Sequence, residues 1–119
     1  MDPLIVAENH EELRRALTIL AGKWKLEILW LLHHRMHRFG ELKRAIPGVS
    51  QHMLTAQLRE LESDGLVTRT VFAEVPPRVE YAITDSAMAL EPTILQLLEW
   101  WQLHGSTARS KRVASTQGG

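Results

Sequence analysis

Residues 50–66, SQHMLTAQLRELESDGL, form the stretch whose reading decides the fold. They predict one short helix with a marked start and a sharp stop. Ser50 can accept a backbone N–H of the first turn, Pro47-Gly48 separates the helix from what precedes it, and Asp64-Gly65 ends it with a residue that tolerates positive φ. Leu54, Leu58 and Leu61 recur at helical spacing, so at ~100° per residue they share one narrow face. Gln51 borders that stripe, and the opposite face carries His52, Thr55, Ala56 and Arg59. Short polar groups, an imidazole and a guanidinium are the donors and acceptors that a base edge or a phosphate can meet. An ordinary amphipathic surface helix would show the same stripe, so the helix alone does not decide function.

The residues after it do. From Leu66 to Phe72 and from Arg78 to Thr84 the hydrophobic period switches to two, with Val79, Tyr81 and Ile83 alternating against Glu80 and Ala82. These predict the two strands of a hairpin. Their connection, AEVPPR, holds two prolines that cannot donate to a ladder, which implies a stiff projecting loop with Arg78 at its base. A polar-faced helix followed by a β-ribbon with a basic loop is the order of a winged helix-turn-helix, in which the helix enters a major groove and the wing touches flanking backbone.

The chain has 119 residues and 45% hydrophobic content, which fits one soluble globular domain and leaves no room for a second. No apolar run approaches the ~18–20 residues of a membrane span. The start, MDPLIVAENHEE, is acidic where a signal peptide would be basic, so a cytoplasmic location is expected. There is no cysteine, which excludes disulfides, cysteine-ligated zinc and thiol-based sensing. Net charge is zero, an argument against a nucleic-acid partner if charge were evenly spread. It is not: from His33 to Arg59 the basic residues Arg35, Arg38, Lys43, Arg44 and Arg59 face a single acid, Glu41, so a local positive face can exist on a neutral protein.

Three segments are expected along the chain: a flexible arm over residues 1–9, a DNA-binding and dimerisation domain over 10–104, and a disordered basic tail over 105–119. A helix over Glu11–Leu20 places Leu13, Ala16, Leu17 and Leu20 on one side, and Ala21-Gly22 breaks it. KWKLEILWLLH, residues 23–33, is apolar nearly all round and predicts the central core helix, with Trp24 as packing. His33 and His37 stand four apart, a spacing that on a continuous helix would serve zinc, but no further ligand lies close in sequence, and a solvated helix end with a turn is the plainer reading. Phe39–Ile46 predicts the first helix of the helix-turn-helix, with PGVS as the turn. Beyond the wing, Thr84 or Asp85 can cap a long final helix to about His104, bent at Pro92. Its Leu90, Ile94, Leu95, Leu97, Leu98, Trp100 and Trp101 exceed what one small core can cover, and a second subunit is the natural cover.

With these elements in place the chain resembles the HxlR-type bacterial winged-helix regulators, which are related to the MarR group. Three blocks carry the resemblance: ALTILAGKWKLEILWLL, RFGELKRAIPGVSQHMLTAQLRELESDGLV and EVPPRVEYAIT. They run colinearly from Ala16 to Thr84, and the likeness extends to Trp101. It implies a homodimer, paired through the first and last helices, that binds an inverted-repeat operator in double-stranded DNA and usually represses transcription. It also implies a base-reading helix at Ser50–Glu62 and a wing around Glu74–Arg78. Many members sense oxidants or electrophiles through a cysteine before the segment matching Ala16-Leu17; NHEELRR stands there instead. HHRMH replaces a turn that commonly contains glycine, and Ala87 stands where glycine is usual.

The fold expected is therefore mainly α with a small β-hairpin, a winged helix-turn-helix with N- and C-terminal dimerisation helices. The DNA-binding residues expected are Arg38, Lys43, Ser50, Gln51, His52, Thr55, Arg59 and Arg78, and the dimer-interface residues are Leu13, Leu17, Leu20, Leu95, Leu98 and Trp101. No metal or cofactor is expected, and any small-molecule effector is unspecified. A winged-helix protein-interaction module that does not contact DNA is the alternative, supported by the zero net charge. An enzyme has little to stand on, since no nucleophile elbow, phosphate loop or HExxH motif occurs.

Overall fold

The computed structural model describes the backbone of residues 3–118 and the side chains of residues 9–105. The chain divides into two compact units, Met1–Met88 and Ala89–Gly119.

In the first unit the order is α1 (Pro3–Leu20), α2 (Lys25–His34), β1 (His37–Arg38), α3 (Phe39–Ala45), α4 (Gln51–Ser63), β2 (Val67–Phe72), β3 (Arg78–Ile83) and the single turn α5 (Asp85–Met88). The helices expected at 23–33, 39–46 and 50–62 and both wing strands are present, each within two residues of its expected ends. The wing is more than a hairpin. β1 adds to β3 on the side away from β2, giving an antiparallel sheet of order β1-β3-β2, with His37 opposite Tyr81 and Arg69 opposite Tyr81 on the other edge.

That third strand corrects the reading of the histidines. His37 is not on a solvated turn: it is buried, and its Nδ1 lies 2.9 Å from the Arg35 carbonyl oxygen. Helix α2 stops at His34, so His33 and His37 do not share the continuous helix a zinc pair would need.

The core is built from Trp24, Ile28, Leu29 and Leu32 of the α2 segment, Leu42 and Ile46 from α3 and its cap, Leu54, Leu58 and Leu61 of α4, Val67 and Tyr81 of the sheet, and Val49, Leu66 and Ala87. Trp24 is packing, as expected. The α2 helix is not covered all round, however. Leu26 and Trp30 remain exposed, and with Glu27, Leu31, Ala45 and Ile46 they line a shallow, mainly apolar groove of about 340 Å³.

Helix α1 starts eight residues earlier than the Glu11 start expected, at Pro3. A proline at the first helical position loses no hydrogen bond and arrives with helical φ. The flexible arm assigned to residues 1–9 thus has helical backbone from Pro3, while side chains 1–8 lie outside the described residues. Among the described α1 side chains, Leu13 and Leu17 are 59% and 61% exposed, whereas Leu20 packs against the core.

The second unit is one helix, α6 (Glu91–Gly118). The bent helix expected from residue 84 or 85 is in fact two helices, α5 and α6, separated at Ala89-Leu90. Pro92 is the second residue of α6, where its missing N–H needs no partner, so it starts a helix instead of bending one. The basic tail expected from Gly105 onward carries helical backbone to Gly118, with side chains beyond 105 outside the described residues. Gly105 does not stop the helix, and the Trp101 ring, one turn back, lies where a Gly105 side chain would stand. Leu95, Leu97, Leu98, Trp100, Trp101 and Leu103 are exposed.

Candidate nucleic-acid interface

The interface begins with how α4 is started and stopped. Gly48, at φ +86°, turns the chain between α3 and α4, a conformation open to glycine at little cost. Ser50 then caps α4 as expected, its Oγ accepting the Met53 N–H at 3.1 Å. Gly65, at φ +77°, ends the helix, and its N–H donates to the Glu62 carbonyl at 3.0 Å.

With its ends fixed, α4 turns Leu54, Leu58 and Leu61 into the core. His52 and Arg59 are exposed on the far side, Gln51 is exposed at the border of the leucine stripe, and Thr55 is half-buried between them. Among the described residues, none of these four side chains makes a hydrogen bond or ion pair within the protein. Their donors and acceptors are therefore free for an external partner, at the helical spacing that places them over successive base pairs.

Helix α3 braces the entry to this surface. The Arg38 N–H donates to Glu41 Oε1 at 2.9 Å, and Arg35 Nη2 donates to Glu41 Oε2 at 3.1 Å. The backbone hydrogen bond from Arg38, followed by the hydrogen bond from Arg35, holds the Glu41 carboxyl below the usual glutamate range. A depressed carboxylate pKa stabilises the fold at pH above the unfolded value, and that contribution is lost as pH falls through the folded value. Glu41→Gln should therefore lower stability near neutrality and lose its effect in acid. Urea unfolding of both proteins across that range measures the convergence. The Arg38, Lys43 and Arg44 side chains stay exposed.

At the wing, Arg78 stands directly opposite Phe72 on the neighbouring strand. Its Nη2 is 3.3 Å from Glu74 Oε1, and its Cζ lies 4.1 Å from the Phe72 ring centroid. The guanidinium is thus held by an ion pair and an aromatic face, with about a third of the side chain exposed. Strand residues alternate faces, so Phe72, Thr70 and Thr68 lie on one side of β2, and Val67, Arg69 and Val71 on the side that meets α4.

Arg69 is a cation beside this surface that the sequence reading did not single out. With Thr55, Leu58, Arg59 and Glu62 of α4 and Tyr81 of β3 it lines a crevice of about 330 Å³ between the helix and the sheet. Among the described residues Arg69 makes no hydrogen bond or ion pair. The signal was available in the alternation of the strand: Arg69 stands two places after the core valine Val67, so it shares the face that turns toward α4 while remaining exposed.

This geometry, a capped helix with an unpaired polar face beside a basic wing, defines a winged helix-turn-helix DNA-binding protein. The HxlR-like helix-turn-helix family model matches residues 19–109, and the chain belongs to that family. It is 43% identical over 96 residues to the uncharacterized HTH-type transcriptional regulator YybR of Bacillus subtilis (strain 168), covering 81% of this chain and 77% of the relative. Among solved structures it is similar to the redox regulator HypR in its reduced form, with TM-score 0.77, 40% identity and coverage of 83% of this chain and 98% of that one. It is also similar to the reduced form of the transcriptional regulator YodB from B. subtilis, with TM-score 0.70, 31% identity and coverage of 85% and 91%. The protein is a DNA-binding transcriptional regulator and not an enzyme. Among the described residues, no helix is long and apolar enough to cross a membrane.

Proposed function

We propose that this regulator works in the cytoplasm as a homodimer that represses transcription by occupying an inverted-repeat operator. The observation that carries the reading is the pairing of a free polar face on α4 with apolar surfaces that one subunit leaves uncovered. Leu13 and Leu17 of α1 are exposed, and the unit Ala89–Gly119, a single helix, has no second element of its own to pack upon. Exposed apolar stripes of this kind are characteristic of subunit contacts, and a two-fold pair would match an operator of two-fold symmetry.

In this reading Gln51, His52, Thr55 and Arg59 meet base edges, Ser50 and Lys43 approach phosphates at the start of α4 and the end of α3, and Arg38 and Arg78 meet backbone on either side. Arg69 joins Arg59 at the crevice. No inducing signal can be sensed by a thiol of this sequence, which contains no cysteine.

Titrating fluorescent duplex from the upstream intergenic region at two salt concentrations tests the reading. Affinity should fall steeply as salt rises, with a slope that reflects the phosphates neutralised. Salt-independent binding, or none, would instead favour a protein-interaction module. Arg78→Ala should weaken all duplexes about equally and reduce that slope by about one. Since Glu74 already pairs with Arg78, the companion Glu74→Ala should leave the slope intact or raise it; loss of the fold in both variants would make the pair a strut of the wing.

A further inference from the structure

Among the described residues of the first unit, the buried side chains outside the hydrophobic core are two, His37 and Lys25. His37 belongs to the sheet. Lys25 has no role in the account so far. It sits in the first turn of α2, its side chain 5% exposed, with Nζ 2.7 Å from Oε2 of Glu60, which is 56% exposed and lies on α4.

The surroundings show how closely the two helices approach. Gly22, in the corner between α1 and α2, has φ +145°, and a side chain there would collide with Gln57 Oε1 and crowd Lys25 Cδ at 3.2 Å. Gln57 precedes Glu60 by three residues on the same flank of α4. Its Oε1 is buried without a hydrogen-bond partner, so it does not tie that flank down. Among the described residues, the Lys25–Glu60 contact is the one directional bond on that flank.

We propose that Lys25 is a positioning residue for sequence readout: its bond to Glu60 sets the rotation of α4 about its own axis. This rests on the reading of α4 as the base-contacting helix. Leu54, Leu58 and Leu61 hold α4 to the core by apolar burial, which has no preferred direction. A cylinder held by a narrow leucine stripe can roll as side chains repack. Base contacts tolerate little of that, on the order of 0.5 Å and 10–20°. Glu60 is adjacent to Arg59 in sequence, so fixing its carboxylate to α2 fixes the direction in which Arg59, Thr55 and His52 project. Stability alone does not account for a buried lysine paired with a half-exposed acid, because an apolar side chain of similar volume at the buried position often matches or betters such a charge.

The test compares Lys25→Met, Glu60→Ala and the double variant on two duplexes of equal length at one salt concentration. One duplex is enriched by the wild type from a random library, and the other is an unselected sequence. Each single variant should bind the enriched duplex about tenfold more weakly, within the range by which residues off the binding surface modulate a site. The double variant should be little worse than either single, and the unselected duplex should be bound as by the wild type. The direction for Glu60→Ala separates positioning from plain charge, since removing an acid near DNA should tighten binding if only charge mattered. If either single variant fails to fold by circular dichroism, the other decides alone: Glu60→Ala leaves the buried Lys25 ammonium without its partner, whereas Lys25→Met places an apolar side chain of similar length there. Unchanged or tighter binding of the enriched duplex by folded Glu60→Ala would overturn the proposal, as would equal losses on both duplexes. A wild type that enriches no sequence would remove the base-reading role of α4 and this proposal with it, an outcome distinct from variants that still discriminate.

Discussion

Leu98→Glu should sediment as a single 13.6 kDa subunit at micromolar concentration and lose operator binding by about 10²–10⁴-fold, although Leu98 lies far along the chain from α4. The buried core runs from Trp24 to Ala87, so the winged-helix unit should keep its fold and its circular dichroism. Affinity falls because a dimer engages its second half-site as an intramolecular event, at an effective concentration that a free subunit cannot supply. Placing a carboxylate in an apolar subunit contact leaves a desolvated charge without a partner, which blocks reassociation. Two outcomes contradict the account: a wild type that is itself a 13.6 kDa monomer, or a monomeric Leu98→Glu that binds operator as tightly as the wild type. Leu17→Glu, on the other exposed stripe, should behave in the same way.

The second large effect is on readout. His52→Ala combined with Arg59→Ala removes an imidazole and a guanidinium that project from α4 and have no partner among the described residues. Each lost base contact should cost about 1–3 kcal/mol, so the pair should weaken operator binding by about 2–6 kcal/mol, or at least ~30-fold. Thermal stability should hardly change, since exposed side chains without internal partners contribute little to the fold. Binding to unselected duplex should fall much less than binding to operator. Equal affinity of the double variant and the wild type for operator would sink the assignment of α4.

How far the sequence disclosed this arrangement depended on how local each signal was. Helix α4 was legible because its cap, its leucine stripe and its stop all lie within 17 consecutive residues, 50–66. The wing was legible because alternation and a double proline are also local. Strand β1 was not, since two residues carry no period and His37 becomes a strand residue only by pairing with Tyr81, 44 positions away. Pro92 was misplaced for a related reason: proline breaks a helix interior but suits a first turn, and nothing nearby said that a new helix started at Glu91. Leu20 reads as part of the α1 stripe, yet its position just before the Gly22 corner turns it to the core.

The candidate DNA-contacting surface divides along the same line. His52 and Arg59 followed from helical spacing, and Ser50 from capping chemistry. The Lys25–Glu60 bond spans 35 positions and the Arg59–Arg69 crevice needs the sheet in place, so neither could be read before the fold was known. Arg78 shows the reverse. Its place beside the prolines was legible, whereas its bonds to Glu74 and Phe72 became visible only with the wing built.

The central claim is that two copies of α4 read two halves of one symmetric site. Selecting bound duplexes from a random library with the wild-type protein tests it most directly. The account predicts an inverted repeat whose half-site centres lie about 10–10.5 base pairs apart, or a multiple of that, the spacing at which two recognition helices meet the same side of the duplex. Enrichment of a single asymmetric element, or of no sequence at all, would contradict it.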